Sequence, residues 1–344
     1  LQENKALSSL IGGALGDALG YSREFVGHEA LLDDLRDRNW WNADLYNGPW
    51  EMTTRDGDAL ISDDTQMTIA TGRALLATDK EADDYYGDFA KNLSEAYITW
   101  SKHPDNNRAP GGTCMRACAK LDQGFPWYDA TDIHSMGCGA NMRVAPIALM
   151  SEVGLLIQRD LAALSAAVTH GHPAAVVAAM LTVETIVATQ EGMTGREILE
   201  EAVKLCTTHR LPYPKVLGDL WVQSEYGSAA AYMEAGYMEC VKWLFKAAAA
   251  IELGWKGQCD PCDITGQAWT APEALAGALL CVAGLWDNPV EVIQRAAVSN
   301  GDSDSIAAIA GNIRGAAGVE WPKNWVHSLE TGPVRELRKL SLAL

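Results

Sequence analysis

The sequence predicts an all-α protein, and three observations carry that expectation. Apolar residues recur at helical spacing, with Leu7, Leu10, Ile11, Ala14, Leu15 and Ala18 on one face and Leu161, Leu164, Ala167 and Val168 on another. Alanine-rich stretches at 174–188, 229–251, 273–286 and 304–317 suit helices packed closely through small side chains. Alternating β-branched runs of strand length are scarce, so a sheet has little to be built from.

Along the chain, the first helical pattern carries Gly12, Gly16 and Gly20 at intervals of four, a spacing that marks close helix–helix contact rather than a phosphate loop. Segment 28–58 is less apolar, holds Trp40, Trp41 and Trp50, and reads as an irregular excursion between two helices. A second helix follows Ser62. Turn signals fall at Asn47-Gly48-Pro49, His103 to Asn107, Ala109 to Gly112, and Gly257 to Gly266. None is long enough for an interdomain linker, and no repeat of fixed period is evident. One domain over residues 1–344 is the economical reading. The tail beyond Glu320 is more polar and is expected on the outside.

The bulk numbers agree with a folded chain of this kind. At 344 residues and 48% hydrophobic content the protein can bury a substantial core. Its formal charge of −18, from 27 basic and 45 acidic residues, argues against nucleic-acid backbone binding but leaves room for a nucleotide-sized anion held by amides and metal. No window approaches ~18 uninterrupted apolar residues, and LQENKALSSL lacks a signal pattern, so a cytoplasmic protein without membrane partners is expected. Of eight cysteines, Cys259 and Cys262 form a lone CxxC, a weak zinc signal; free buried thiols are the better reading.

Two acidic clusters stand out. "SNGDSDSIAAIAG" (299–311) places Asp302 and Asp304 against an apolar run, with no Lys or Arg before Arg314. "ALISDDTQMTIATGRALL" repeats the theme with Ser62, Asp63, Asp64 and Thr65. Each could simply cap a helix, since Ser, Thr and Asp accept from free first-turn amides. One cap needs one such residue, however, and each cluster offers four. Carboxylates and hydroxyls without His or Cys favour a hard cation such as Mg²⁺, Mn²⁺ or Ca²⁺. Two clusters brought together could hold two ions about 3.5–4 Å apart. Capping and metal binding both remain open on this evidence. An EF-hand beginning at Asp302 fails because its twelfth position is Ile313. A DxDx phosphatase loop lacks its preceding hydrophobic strand, and Asp63-Asp64-Thr65-Gln66-Met67 does not complete a prenyl-synthase DDxxD.

Five motifs occur in order: "IGGALGDALGYSREF" (11–25), "ISDDTQMTIATGRAL" (61–75), "SMGCGANMRVAPIAL" (135–149), "AVTHGHP" (167–173) and "NGDSDSIAAIAGNIRGAAG" (300–318). In these the chain resembles the ADP-ribosylglycohydrolases, the group that includes the dinitrogenase-reductase-activating glycohydrolase and the eukaryotic ADP-ribosylhydrolases. The resemblance runs from about residue 7 to about residue 320. It implies a compact, single-domain orthogonal helical bundle around a dinuclear centre of two Mg²⁺ ions, or of Mn²⁺. By motif position it implies Ser62, Asp63, Asp64, Asp302, Asp304 and Ser305 as ligands, and it places Glu24 beside the metals. Many members carry Thr where Ser305 stands, and the GDSDS spelling resembles the arginine-specific branch.

What the resemblance implies chemically is hydrolysis of the bond joining ADP-ribose to a modified protein side chain, arginine first. Such cleavage passes through an oxocarbenium-like state and needs a positioned water. Glu24 or Asp63 is the expected base. Asp105 could hold the guanidinium in a fork, although a turn-former before Asn106 accounts for it better. Gly137, Cys138, Gly139 and Asn141 form a lean turn able to aim amides at a pyrophosphate. His170 resembles a ribose or phosphate contact, whereas His172 before Pro173 shapes a turn. Tyr226 or Trp269 could stack on adenine, with core packing the default for each. The implied partners are an ADP-ribosylated protein as substrate, ADP-ribose as product and a cognate ADP-ribosyltransferase. The rival readings are a binding or immunity protein that sequesters such partners, and a hydrolase of a serine, nucleobase or small-metabolite conjugate.

Overall fold

The computed structural model describes residues 2–24 and 54–344. Trp40, Trp41 and Trp50, expected in the irregular excursion, lie outside the described residues, as does Phe25. The longer helices are, in order, α1 (Gln2–Tyr21), α2 (Asp63–Ala77), α3 (Tyr85–Ser101), α4 (Gly112–Asp122), α5 (Leu155–Ala167), α6 (Pro173–Gln190), α7 (Gly195–Thr207), α8 (Ala229–Glu252), α9 (Ala271–Gly284), α10 (Pro289–Ala297), α11 (Ser303–Gly315) and α12 (Thr331–Ala343). Among the described residues the strands are two-residue pieces, β1 (Thr54–Arg55) and β2 (Asp58–Ala59), paired antiparallel. The fold is all-α.

Local chemistry sets most helix boundaries. Thr194 with Glu197 and Thr270 with Glu273 make capping boxes that open α7 and α9. Asn288 caps α10, and Pro289 fills its first position, where a missing N–H costs nothing. The expected helix at 273–286 starts two residues earlier and stops at Gly284, so Trp286 falls in the turn before α10.

One helix pair decides where the functional residues go. Helices α1 and α11 pack antiparallel with their backbones almost touching. A Cβ on Gly16 would stand 2.1 Å from the Ala307 carbonyl oxygen, and one on Gly20 would stand 2.4 Å from Asp304 Cα. Further along, a Cβ on Gly311 would stand 2.1 Å from the Gly12 carbonyl oxygen. The glycine spacing seen in the sequence is therefore a helix–helix groove. Ser9 Oγ donates to Asn312 O at 2.8 Å and Ser303 Oγ to Gly20 O at 3.0 Å, pinning both ends. The C-terminal end of α1 is thereby fixed beside the N-terminal end of α11.

Helix α6 is long and apolar enough to cross a membrane, but 78% of it is buried inside the protein, where it packs on α5, α8 and α9. Its length and composition reflect a core position. The tail departs from expectation. Trp321, Trp325, Leu329, Leu337 and Leu340 are all buried, and α12 packs on α1 and α2. Apolar residues at helical intervals give α12 a buried edge despite its polar average. Glu330 ahead of it clamps Arg108 in a bidentate pair at 2.5 and 2.9 Å.

Candidate metal centre and cleft

Two helix N-termini meet at the site. Ser62 caps α2, its Oγ accepting from Asp64 N–H at 3.2 Å. A second acceptor serves the same helix end: Asp17 on α1, fully buried, accepts Ser62 N–H at 2.9 Å and Thr65 N–H at 3.0 Å, and also the Thr65 hydroxyl. With those amides satisfied by Asp17, the carboxylates of Asp63 and Asp64 are released from capping duty. Asp63 Oδ2 accepts from Gly111 N–H at 3.2 Å. Asp64 Oδ1 accepts from Ser305 Oγ at 3.4 Å, a contact spanning 241 residues of chain.

Helix α11 supplies the other half. Asp302 is its N-cap and accepts Ser305 N–H at 3.3 Å on Oδ1, while its Oδ2 accepts from the Cys138 thiol at 2.8 Å. Asp304 Oδ1 also accepts from Ser305 N–H, at 3.0 Å. Glu24 follows the end of α1. One oxygen each from Glu24, Asp302 and Asp304 lies within 4.8 Å of the others.

These side chains line a cleft of about 220 Å³ together with Gly111, Gly137, Gly139, His170 and Trp269. Five carboxylates face it: Glu24, Asp63, Asp64, Asp302 and Asp304. Among the described residues none of the five forms an ion pair with Lys or Arg. Burial first, and then mutual repulsion, pushes the Glu24 carboxyl up to about 8. Burial likewise pushes Asp63, Asp64 and Asp304 well above the usual carboxylate range, with the neighbouring charges adding to it.

The residues fit a divalent cation. Asp64 Oδ2 and Glu24 Oε2 are buried with no hydrogen-bond partner, an arrangement that is costly unless something else meets the oxygens. The donor set is mostly carboxylate and hydroxyl oxygen, the chemistry of a hard cation.

Under the cleft lies a fully buried guanidinium that bonds no carboxylate. Arg143 donates to Ser165 O at 2.6 Å and to Thr169 Oγ1 at 2.7 Å, and it sits 4.5 Å from the centre of the Tyr97 ring. Thr169 Oγ1 is in turn 2.7 Å from His170 Nδ1. Burial, then Arg143, holds His170 well below the usual imidazole range and therefore neutral. The Thr169 hydroxyl accepts from Arg143 and so links the guanidinium to the His170 ring. A Cβ on Gly139 would stand 2.9 Å from His170 Cε1 and one on Gly137 would stand 3.1 Å from Nε2, so these two glycines leave the ring its room.

Of the residues singled out in the sequence, the cleft gathers Glu24, Asp63, Asp64, Gly137, Cys138, Gly139, His170, Asp302, Asp304 and Ser305. Ser62 sits fully buried behind them as a cap. Asn141 turns away, its Nδ2 donating to Ala271 O at 3.1 Å and Thr182 Oγ1 at 3.3 Å. Asp105 also stands outside the cleft, in a separate hollow, where Arg55 donates to it at 2.8 Å. Tyr226 packs against His172 and Tyr232, whereas Trp269 is 45% exposed on the cleft itself. The sequence reading missed Asp17; its one signal was an acid inside the otherwise apolar "GGALGDALG".

Comparison with known proteins agrees with the motifs. A family model described as ADP-ribosylglycohydrolase matches residues 1–344. The ADP-ribosyl-[dinitrogen reductase] glycohydrolase of Rhodospirillum rubrum is 24% identical over 340 residues, covering 98% of this chain and 94% of that protein. ADP-ribosylarginine hydrolase Tri1 of Pseudomonas putida is 25% identical over 209 residues, 58% of this chain and 51% of that protein. A solved ADP-ribosylglycohydrolase-related protein complex shares the fold, with a TM-score of 0.63 at 19% identity over 99% of this chain and 97% of that one.

Proposed function

The chain belongs to the ADP-ribosylglycohydrolase family, and from that premise we propose that it is a metal-dependent hydrolase that cleaves ADP-ribose from a modified protein side chain, with arginine as the leaving group. The observation that carries this reading is the convergence of five carboxylates on one cleft, two of them with buried, unpartnered oxygens.

Asp63, Asp64, Asp302, Asp304 and Ser305, with Ser62 behind them, would hold two Mg²⁺ or Mn²⁺ ions, which supply Lewis-acid polarisation of the ribose oxygens and positive charge for the cluster. Everything else follows from the chain's own groups. Glu24, with its Oε2 unpartnered, would in its carboxylate form accept the proton of the attacking water. Asp63, held by Gly111 N–H, is the alternative base.

The rest of the cleft suits the ADP portion. Helix α4 opens at Gly112 with no side-chain cap, so its free first-turn amides can bind a phosphate. The 137–139 turn and the His170 ring line the same space. Trp269 offers an exposed aromatic face for the base. Asp105 is not placed to grip a guanidinium in the cleft, so arginine preference rests on the acidity of the cleft and on the likeness to one relative named as an ADP-ribosylarginine hydrolase.

The test is to incubate the protein with Mg²⁺ and with conjugates ADP-ribosylated on arginine, serine or DNA, and to follow ADP-ribose release. Release from arginine alone is the expected outcome. Release from serine or DNA instead would replace the leaving group, and tight binding with no release from any would replace hydrolysis with sequestration.

A further inference from the structure

We propose that Arg108 and Glu330 are positioning residues for Asp63: their ion pair holds Ala109 in a left-handed turn, and that turn aims the two backbone groups that grip Asp63. This rests on reading the acidic cleft as a metal-dependent centre, and it gives the C-terminal tail a task there.

The contacts run in one line from the tail to the cleft. Glu330, just ahead of α12, pairs with the Arg108 guanidinium at 2.5 and 2.9 Å. Its own N–H donates to Ala59 O at 3.2 Å, so the acid is fixed to the strand that leads toward Ser62. Arg108 Nη1 also donates to Ile61 O at 3.0 Å. Arg108 is 3% exposed, and a guanidinium so buried is held in place by the oxygens that meet its protons. The backbone of the same residue then reaches the site, where Arg108 O accepts Asp63 N–H at 3.2 Å. Three residues on, Gly111 N–H donates to Asp63 Oδ2 at 3.2 Å. One short loop therefore holds Asp63 by both its main chain and its side chain.

The loop is strained between those two grips. Ala109 has a φ of 55°, a conformation that residues with a Cβ rarely adopt, and Pro110 narrows its choices further. Ala109 also lines the cleft. Strain of this kind persists only where the surroundings over-determine it. The Arg108–Glu330 pair supplies that constraint on one side of Ala109, and the ring of Pro110 supplies it on the other. Relaxation of the loop would carry the Gly111 N–H away and leave the Asp63 carboxylate free to turn out of line with Asp64. The geometry of the cleft thus depends on an ion pair whose members lie 222 residues apart.

The test starts from Glu330→Gln, which keeps the size of the side chain and removes its charge. Amide hydrogen exchange in residues 108–112 is expected to quicken in the full-length variant. Its Mg²⁺ affinity by calorimetry should weaken about tenfold, the fold-change that one strained residue represents. Adding Ala109→Gly should recover most of that loss, because glycine takes a positive φ without strain. Glu330→Asp keeps the charge but shortens the reach, and should show a smaller loss in the same direction, so the test survives if Glu330→Gln does not fold. Arg73→Gln is the control: Arg73 ties α2 to Glu336 of α12 at 2.8 Å but lies outside the cleft lining, and its loss should change neither readout. Unchanged exchange and unchanged Mg²⁺ affinity in Glu330→Gln would overturn the proposal. An equal loss in Arg73→Gln, or no recovery with Ala109→Gly, would make the pair a general brace of the fold and overturn it too. If the exchange and affinity changes appear but the parent releases ADP-ribose from no conjugate, the positioning role stands and the hydrolase reading falls. Release by the parent with neither change in Glu330→Gln does the reverse.

Discussion

Asp17 holds the start of the helix that carries Asp63: the Ser62 N–H donates to its carboxylate at 2.9 Å, and Thr65 adds both an amide and a hydroxyl. One acid thus caps the helix so that the next two are free to face the cleft. Asp17→Ala leaves two buried amides without an acceptor, at a cost of about 1–3 kcal/mol each. We expect a lower urea midpoint by circular dichroism and weaker Mg²⁺ binding by calorimetry. An unchanged Mg²⁺ affinity in a folded variant would mean that the cap does not position the ligands.

Divalent ions should stabilise the protein through the cleft. Ion at about 100 times its dissociation constant adds about 2.7 kcal/mol by mass action. A thermal melt with Mg²⁺ or Mn²⁺ should therefore rise above the melt in chelator. Asp302→Asn and Asp304→Asn should flatten that response, and retained metal content with full activity in either would remove the assignment.

The stability of the cation-free protein should depend on pH with an unusual sign. Glu24 is pushed from its ordinary 4.5 up to about 8, and Asp63, Asp64 and Asp304 are raised as well. Below its ordinary value Glu24 is protonated in both folded and unfolded states and contributes no difference. As pH rises toward about 8, the unfolded chain ionises while the folded cluster holds its protons, so stability falls. Urea midpoints in chelator should drop steadily between about pH 5 and about pH 8. Saturating Mg²⁺ should remove that slope, because the cation takes the place of the protons. A slope that persists with Mg²⁺ would place the ion elsewhere.

Gly16→Ala should destabilise the protein although alanine is the better helix former. Propensity favours the change by about 0.8–1.0 kcal/mol. Against it, the new Cβ would stand 2.1 Å from the Ala307 carbonyl oxygen, on backbone that cannot rotate away. Overpacking of this kind costs about 1–3 kcal/mol or more. The net loss should appear in the unfolding midpoint, and activity should fall with it, since the same contact sets Glu24 beside Asp304. Gly332→Ala, which meets nothing nearby, is the control.

Much of this was legible in the chain itself. Helical periodicity announced the main helices, and the Gly12–Gly16–Gly20 spacing announced a close helix pair. Motif resemblance named both acidic clusters, and the cleft gathers their carboxylates with Ser305. What those signals share is that they are local: a cap, a face or a short run of residue types is written within one or two turns of chain.

What the sequence by itself determined is therefore the set of helices and the residue types at their ends. Only the tertiary structure decided which of those residues meet. Asp17 and Ser62 lie 45 positions apart and Cys138 and Asp302 lie 164 apart, and no periodicity links either pair. Asn141 and Asp105 suit a ligand equally well as residue types, yet one turns onto Ala271 and the other pairs with Arg55. The tail's polar average concealed a buried edge for the same reason. The meeting of two side chains is set by how their helices cross and how closely backbones approach. That depends on packing across the whole core, which a local pattern does not contain.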